Sequence, residues 1–204
     1  GVPSIRSDIL GYVSEGDNSS SQTVNTQQIS LLDYSNTAVG VAEKVLPSIV
    51  GINVTYSVNS IFYNNQSVAT ASGSGVIISE DGYILTNNHI VSTSSEDSFY
   101  EVSEATKVTV TLFNDETEYE AKIIGTDEQT DLAVIKIEKT GLTKAEFADS
   151  DNIKVGEFAM AVGNPLGLES SITCGVVSAV NRKVTDSDGK TYTLIQTDAA
   201  INSG

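Results

Sequence analysis

His89 is the only histidine in the 204-residue chain, and it closes an apolar-polar alternation in the stretch ILTNNHIV. An imidazole titrates near neutral pH, so it is the natural general base at pH 7. A base that activates a nucleophile also needs an acidic partner to hold its tautomer and stabilise the imidazolium. Asp131, in TDEQTDLAVIKIE, opens an almost wholly apolar strand, which sets its carboxylate near buried surface. Asp127, Glu128 and Asp149 compete with it on composition alone. Ser, the usual nucleophile beside such a pair, occurs near the end of the chain in TDAAINSG, Thr197 to Gly204. Cys174 is the only cysteine. It reads as a small strand residue rather than a nucleophile, because no second histidine exists to activate it.

Other chemistries are poorly served. One His and one Cys do not make a metal site, so no metal and no cofactor are expected. The glycines of SGSG precede a strand rather than a helix and so do not form a phosphate-binding loop. With 11 basic and 27 acidic side chains the net charge is −16, which repels nucleic acid phosphates and anionic membrane surfaces. A single cysteine allows no internal disulfide. No stretch reaches the ~18 to 20 apolar residues of a membrane span, and no signal peptide is visible. Gly1 in place of an initiator Met reads as the start of a processed chain.

The elements that would position His89 and Asp131 are mostly strands. Residues 1–35, rich in Ser, Asn, Gln and Asp, read as a flexible polar lead. In TAVGVAEKVLPSIV, Val39, Ala42, Val45 and Leu46 fall at helical spacing, and Pro47 ends the helix. SIVGINVTYSV alternates as a strand, and ASGSGVIIS followed by DGYILTNNHIV reads as a hairpin about a DG turn. Residues 92–106 read as a polar, acidic surface loop. TKVTVTLF, EYEAKIIGTD and LAVIKIE continue the strands. After Phe147 come a turn-rich stretch, then EFAMAVGNP, SSITCGVVSAVNR and YTLIQTD. About six strands therefore precede residue 147 and about three follow it, as expected of one barrel and part of another.

SGSGVIISEDGYILTNNHIV, TDLAVIKI, GEFAMAVGNPLGLESSITCGVVSAVNR and TLIQTDAAINSG, in that order, resemble the HtrA (Deg) family of trypsin-like serine proteases over residues 36–204. The resemblance implies an all-β fold, a trypsin-like double β-barrel with a short N-terminal helix and an incomplete second barrel. The expected domains are a lead at 1–35, a first barrel at 36–146 and a partial second barrel at 147–204. His89 is implied as the base and Asp131 as its orienting acid. The family's TDAAIN-x-G is followed by Asn-Ser-Gly-Gly, which puts the nucleophile two residues past Gly204. Gly204 then supplies one N–H of the oxyanion hole, and Ile201 lines the primary specificity pocket, favouring small or medium aliphatic side chains. The alternative, Ser203 itself as nucleophile, requires deleting two residues after Ile201. The loop Thr185–Lys190 resembles the family's regulatory loop, although a plain hairpin loop reads equally well. The resemblance further implies unfolded extracytoplasmic polypeptides as substrates and no nucleic acid partner. It also implies a homotrimer or other self-association, membrane attachment only through an anchor lying outside these residues, and PDZ domains beyond them. A truncated second barrel would leave an open edge that pairs with other chains. The competing reading is a non-catalytic peptide-binding pseudo-protease.

Overall fold

The computed structural model describes residues 31–60, 66–92, 96–97, 100–164, 171–185 and 189–201. Helix α1, Leu31–Val45, runs into a 3-10 turn at Leu46–Ser48, where Pro47 occupies the first turn and costs no helical hydrogen bond. The helix thus starts at Leu31, inside the stretch read as a polar lead, whose last residues include the apolar Leu31, Leu32 and Tyr34. Its Tyr34 ring meets Phe158 edge-on at 5.6 Å, and Lys44 pairs with Glu146 at 2.9 Å.

Seven strands follow: β1 Ile49–Ser60, β2 Gln66–Ile77, β3 Tyr83–Asn87, β4 Glu96–Asp97, β5 Tyr100–Leu112, β6 Asp115–Asp127 and β7 Leu132–Ile137. They pair antiparallel in the order β1-β2-β3-β7-β6-β5-β4, and an additional β1–β5 pairing closes six of them into a barrel. Strand alternation fills it. Val50, Ile52, Val54 and Tyr56 of β1, Ile77 of β2, Ile84 of β3, Val108 and Val110 of β5, and Ala133, Ile135 and Ile137 of β7 are all buried in one cluster. The SGSG stretch lies in β2, and its glycines face this core. A Cβ on Gly75 would sit 2.7 Å from Ile84 Cγ2 and 2.8 Å from Ile52 Cδ1, so small residues here make room for branched ones opposite.

The hairpin between β2 and β3 turns at Asp81–Gly82, as its DG signal predicts. Gly82 has φ +102°, and a Cβ there would strike the Ile137 carbonyl, so the turn needs glycine. The expected surface loop at 92–106 is corrected. Strand β5 begins at Tyr100, and its entry pairs with the far end of β1 through Ser60↔Tyr100 and Val58↔Val102. Ladder hydrogen bonds come from the backbone, so a polar, acidic stretch can extend a strand whose side chains give no apolar alternation.

Past residue 147, a 3-10 turn at Ser150–Asn152 is capped by the Asp149 side chain. Strands β8 Phe158–Gly163, β9 Ser171–Thr185 and β10 Thr191–Thr197 form a separate antiparallel sheet in the order β10-β9-β8. Here Val177 and Ala199 are the buried apolar residues, while Val176, Val184, Leu194 and Ile195 are exposed. The described residues thus form one closed barrel and one partial sheet, as the all-β reading expected.

Adding volume at the barrel's small positions tests this packing. Gly75→Val should lower unfolding stability by about 1–3 kcal/mol through overpacking. Gly125→Ala, where a Cβ meets nothing within 4 Å, should be neutral or slightly stabilising. Urea titrations of the two variants against the parent chain check this.

Candidate active site

The ladder between β3 and β7 ends at the pair Asn87↔Leu132. The short helix α2, Asn88–Val91, starts immediately beyond β3, and Asp131 stands immediately before β7. Two neighbouring strand ends therefore deliver His89 and Asp131 to the same rim of the barrel. The turn leading into Asp131 is stiffened by Asp127, whose carboxylate accepts from the Gln129 N–H at 2.9 Å and the Thr130 hydroxyl at 2.8 Å. Asp131 itself takes a left-handed backbone, φ 55°, which Asp tolerates better than most residues. Helix α2 is anchored by buried Asn88 and Val91 and by the hydroxyl of Tyr56, which reaches out of the core to donate to the Ile90 carbonyl. Burial pushes the Tyr56 phenol pKa up, so it stays a donor.

His89 meets Asp131 twice. Its backbone N–H donates to Oδ1 at 2.9 Å, and its ring Nδ1 lies 2.8 Å from Oδ2. The Asn88 N–H donates to the Asp131 carbonyl at 3.1 Å. The Asn87 side-chain amide reaches both that carbonyl at 3.1 Å and Oδ2 at 3.0 Å. Burial pushes the Asp131 carboxyl up, but it is outweighed by the His89 backbone and ring hydrogen bonds, the His89 charge and the Asn87 amide. The net effect holds Asp131 below the usual carboxylate range. An ionised carboxylate only accepts, so the proton in the ring contact belongs to Nδ1. Nε2 then carries the lone pair of the neutral ring, on a side chain that is 65% exposed. This arrangement can remove a proton from an incoming hydroxyl.

The three competing carboxylates are engaged elsewhere: Asp127 in its turn, Glu128 with Lys190 at 3.4 Å, and Asp149 as a cap. The chain's last described segment, Thr197–Ile201, lies along β9. The Val176 N–H donates to Asp198 Oδ1 at 2.7 Å, the Thr173 hydroxyl to the Ala200 carbonyl at 2.7 Å, and the Thr197 hydroxyl to the Val176 carbonyl at 2.9 Å. A Cβ on Gly175 would collide with the Asp198 carboxylate and with Ala199, which explains a glycine in the middle of this strand. Ile201 is 73% exposed. Gly204, with Asn202 and Ser203, lies outside the described residues. Cys174 is a half-buried free thiol opposite Met160. Asn87, Tyr56 and Asp198 were not singled out from the sequence. Asn87 and Asp198 stand inside quoted motifs, but nothing in their spacing says what they touch.

A closed six-strand barrel with a hydrogen-bonded His–Asp pair on its rim, beside a second antiparallel sheet, is the architecture of a trypsin-like peptidase domain. Residues 73–204 match the family described as "Trypsin-like peptidase domain", and the chain belongs to it. Within that family it is of the HtrA (Deg) type. It is 48% identical over 135 residues to the "Probable periplasmic serine protease do/HhoA-like" of Haemophilus influenzae, covering 65% of this chain and 26% of that protein. It is 38% identical over 179 residues to the "Periplasmic pH-dependent serine endoprotease DegQ" of Escherichia coli, covering 79% of this chain and 36% of that protein. Among solved structures it resembles "HtrA-type protease AlgW with decapeptide" at TM-score 0.63 and 30% identity, over 81% of this chain and 52% of that one. The chain therefore spans about a quarter to a third of the length of these curated relatives.

The Asp131 environment sets a pH dependence. Its folded pKa is lowered, so its contribution to stability is present above the unfolded value of about 3.9 and is lost as pH falls through the folded value. Asp131→Asn should cost on the order of 1 kcal/mol or less at pH 7, because solvent screens the site. The variant and parent curves should converge as pH falls through the lowered folded value of Asp131. Urea unfolding across pH 2.5–7 reads this directly.

Proposed function

We propose that the chain is part of a serine endopeptidase in which His89 is the general base and Asp131 its orienting acid. The observation that carries this reading is the double contact of His89 with Asp131, through Nδ1 at 2.8 Å and through the backbone N–H at 2.9 Å. In the reaction, Nε2 takes the proton of an attacking serine hydroxyl and returns it to the leaving amine, while Asp131 stabilises the imidazolium. The HtrA pattern puts that serine two residues past Gly204, with the Gly204 N–H as one oxyanion donor and Ile201 on the wall of a pocket for small aliphatic side chains. The substrates are unfolded or misfolded polypeptides outside the cytoplasm. The relatives' printed names as periplasmic serine endoproteases, and an AlgW structure with a decapeptide, support that class. A peptide-binding module without chemistry has no need of this paired base and acid.

A polypeptide of these 204 residues holds the base and acid but not the proposed nucleophile. Losing a triad member costs roughly 10⁴- to 10⁶-fold in turnover, so the polypeptide assayed alone should be inactive. Intact-mass spectrometry after treatment with a fluorophosphonate should show no adduct. A stoichiometric adduct on Ser203 would instead put the nucleophile inside the chain and shift the motif by two residues.

Exposed Val176, Val184, Leu194 and Ile195 on the open sheet support self-association of this polypeptide, as a trimer or otherwise. Sedimentation velocity over a concentration series should show oligomers. A monomer at every concentration would refute this part of the proposal.

A further inference from the structure

We infer that Asn87 is a positioning residue that clamps Asp131 by its backbone and its carboxylate together, and so fixes the tautomer of His89. The inference rests on the reading of His89 and Asp131 as base and orienting acid, and it assigns the clamp to a side chain outside that pair.

The geometry is specific. One nitrogen, Asn87 Nδ2, lies 3.1 Å from the Asp131 carbonyl oxygen and 3.0 Å from Asp131 Oδ2. Both partners are acceptors, so the amide orientation is dictated: the nitrogen must face Asp131, and its two protons serve the two oxygens. A bond from one amide to both the main chain and the side chain of a single residue restrains the torsions between them. Asp131 needs such a restraint, because its left-handed backbone at φ 55° sits at the end of a turn and its side chain is about one-third exposed. The remaining contacts complete the cage. Oδ1 is held by the His89 N–H at 2.9 Å, and the Asp131 carbonyl also accepts from the Asn88 N–H at 3.1 Å. Oδ2 alone faces the imidazole, and Asn87 is the other donor to that oxygen. Without it, the carboxylate keeps only the Oδ1 bond from the His89 N–H against rotation, and the Nδ1–H contact faces a less firmly fixed Oδ2. Against the upward push of burial, the same bond joins those from His89 in keeping Asp131 ionised.

The single histidine makes the test clean, since the chain has one imidazole signal set. Imidazole ¹⁵N shifts, measured on the 204-residue chain at a pH where the ring is neutral, report the Nδ1–H to Nε2–H ratio. The parent should be mainly Nδ1–H. Asn87→Ala should raise the Nε2–H share relative to Nδ1–H by roughly two- to tenfold, the effect of losing one hydrogen bond to a charged group at a partly exposed site. Asn87→Leu keeps a similar shape, lacks the donor and adds no charge, and should move the ratio the same way, which covers the case in which the alanine variant folds poorly. Ser92→Ala removes a brace of α2, the bonds to Asn88, without touching Asp131. It should leave the ratio unchanged, so general loosening of the helix is distinguished from loss of the clamp. Asp131→Ala separates the two levels of the argument. If it moves the ratio while both Asn87 variants do not, the clamp is wrong and the base–acid pair stands. If it too leaves the ratio unchanged, the pair itself is refuted and the clamp with it.

Discussion

The antiparallel register of β3 against β7 is the constraint on which the site depends. Five residue pairs, from Tyr83↔Lys136 to Asn87↔Leu132, bring the strand ends together. A slip of one residue would displace His89 from Asp131 by about 3.3 Å, more than a hydrogen bond survives. The same slip would turn the inward-facing residues outward. What resists it is the core. Ile84, Ile135 and Ile137 are fully buried, and each such side chain is worth roughly 1.5–3 kcal/mol. The contacts between His89 and Asp131 are exposed enough to contribute far less. The site geometry is therefore held by the barrel interior, and the chemical groups do not have to stabilise their own arrangement.

Closure of the barrel extends that logic. Strand β1 pairs with β2 on one side and β5 on the other, so the sheet has no free edge around the ring apart from the small flanking β4. Tyr56 shows how the interior reaches the rim: its ring is in the core, and its hydroxyl holds the Ile90 carbonyl beside His89. The second sheet has no comparable interior among the described residues. Its order near the site comes instead from side chain to backbone bonds, with Asp198 to the Val176 N–H and Thr173 to the Ala200 carbonyl tying Thr197–Ile201 to β9. Gly175 permits that close approach.

Most of the barrel was legible because its strands alternate and its main hairpin carries a DG turn. Val50, Ile52, Val54 and Tyr56 announce a half-buried strand by spacing alone. The entry to β5 was not legible, since Tyr100–Thr106 carries mixed polar residues whose pairing with β1 is a tertiary event. Histidine 89 was legible as the single imidazole, whereas its partner was one of four carboxylates equal in composition. Its place at the head of an apolar strand and the HtrA resemblance favoured Asp131, and the fold adds what the others do: Asp131 stands where β7 begins, while Asp127, Glu128 and Asp149 serve turns and an ion pair. Asn87 stayed hidden because TNNH contains two asparagines with opposite fates. Asn88 is buried and bonded to Ser92, and Asn87 turns out to Asp131. A motif names the residues, but not the face of the strand end each one takes.

The two sheets must also be fixed relative to each other if a base on one is to serve a segment on the other. Ser74 of β2 is the joint. Its carbonyl accepts from the Thr86 hydroxyl at 2.9 Å, one residue before Asn87, and its own hydroxyl accepts from the Asn164 N–H at 2.8 Å, just past β8. One small polar residue thus ties the strand that leads into His89 to the sheet that carries Thr197–Ile201. Lys190, the last residue of the Thr185–Lys190 loop, contacts Glu128 in the turn before Asp131 at 3.4 Å. That ion pair is exposed and so weak, whereas Asn164 and Thr86 are buried. The link through Ser74 is therefore the stronger of the two, and the Lys190 contact with the turn before Asp131 adds little to it.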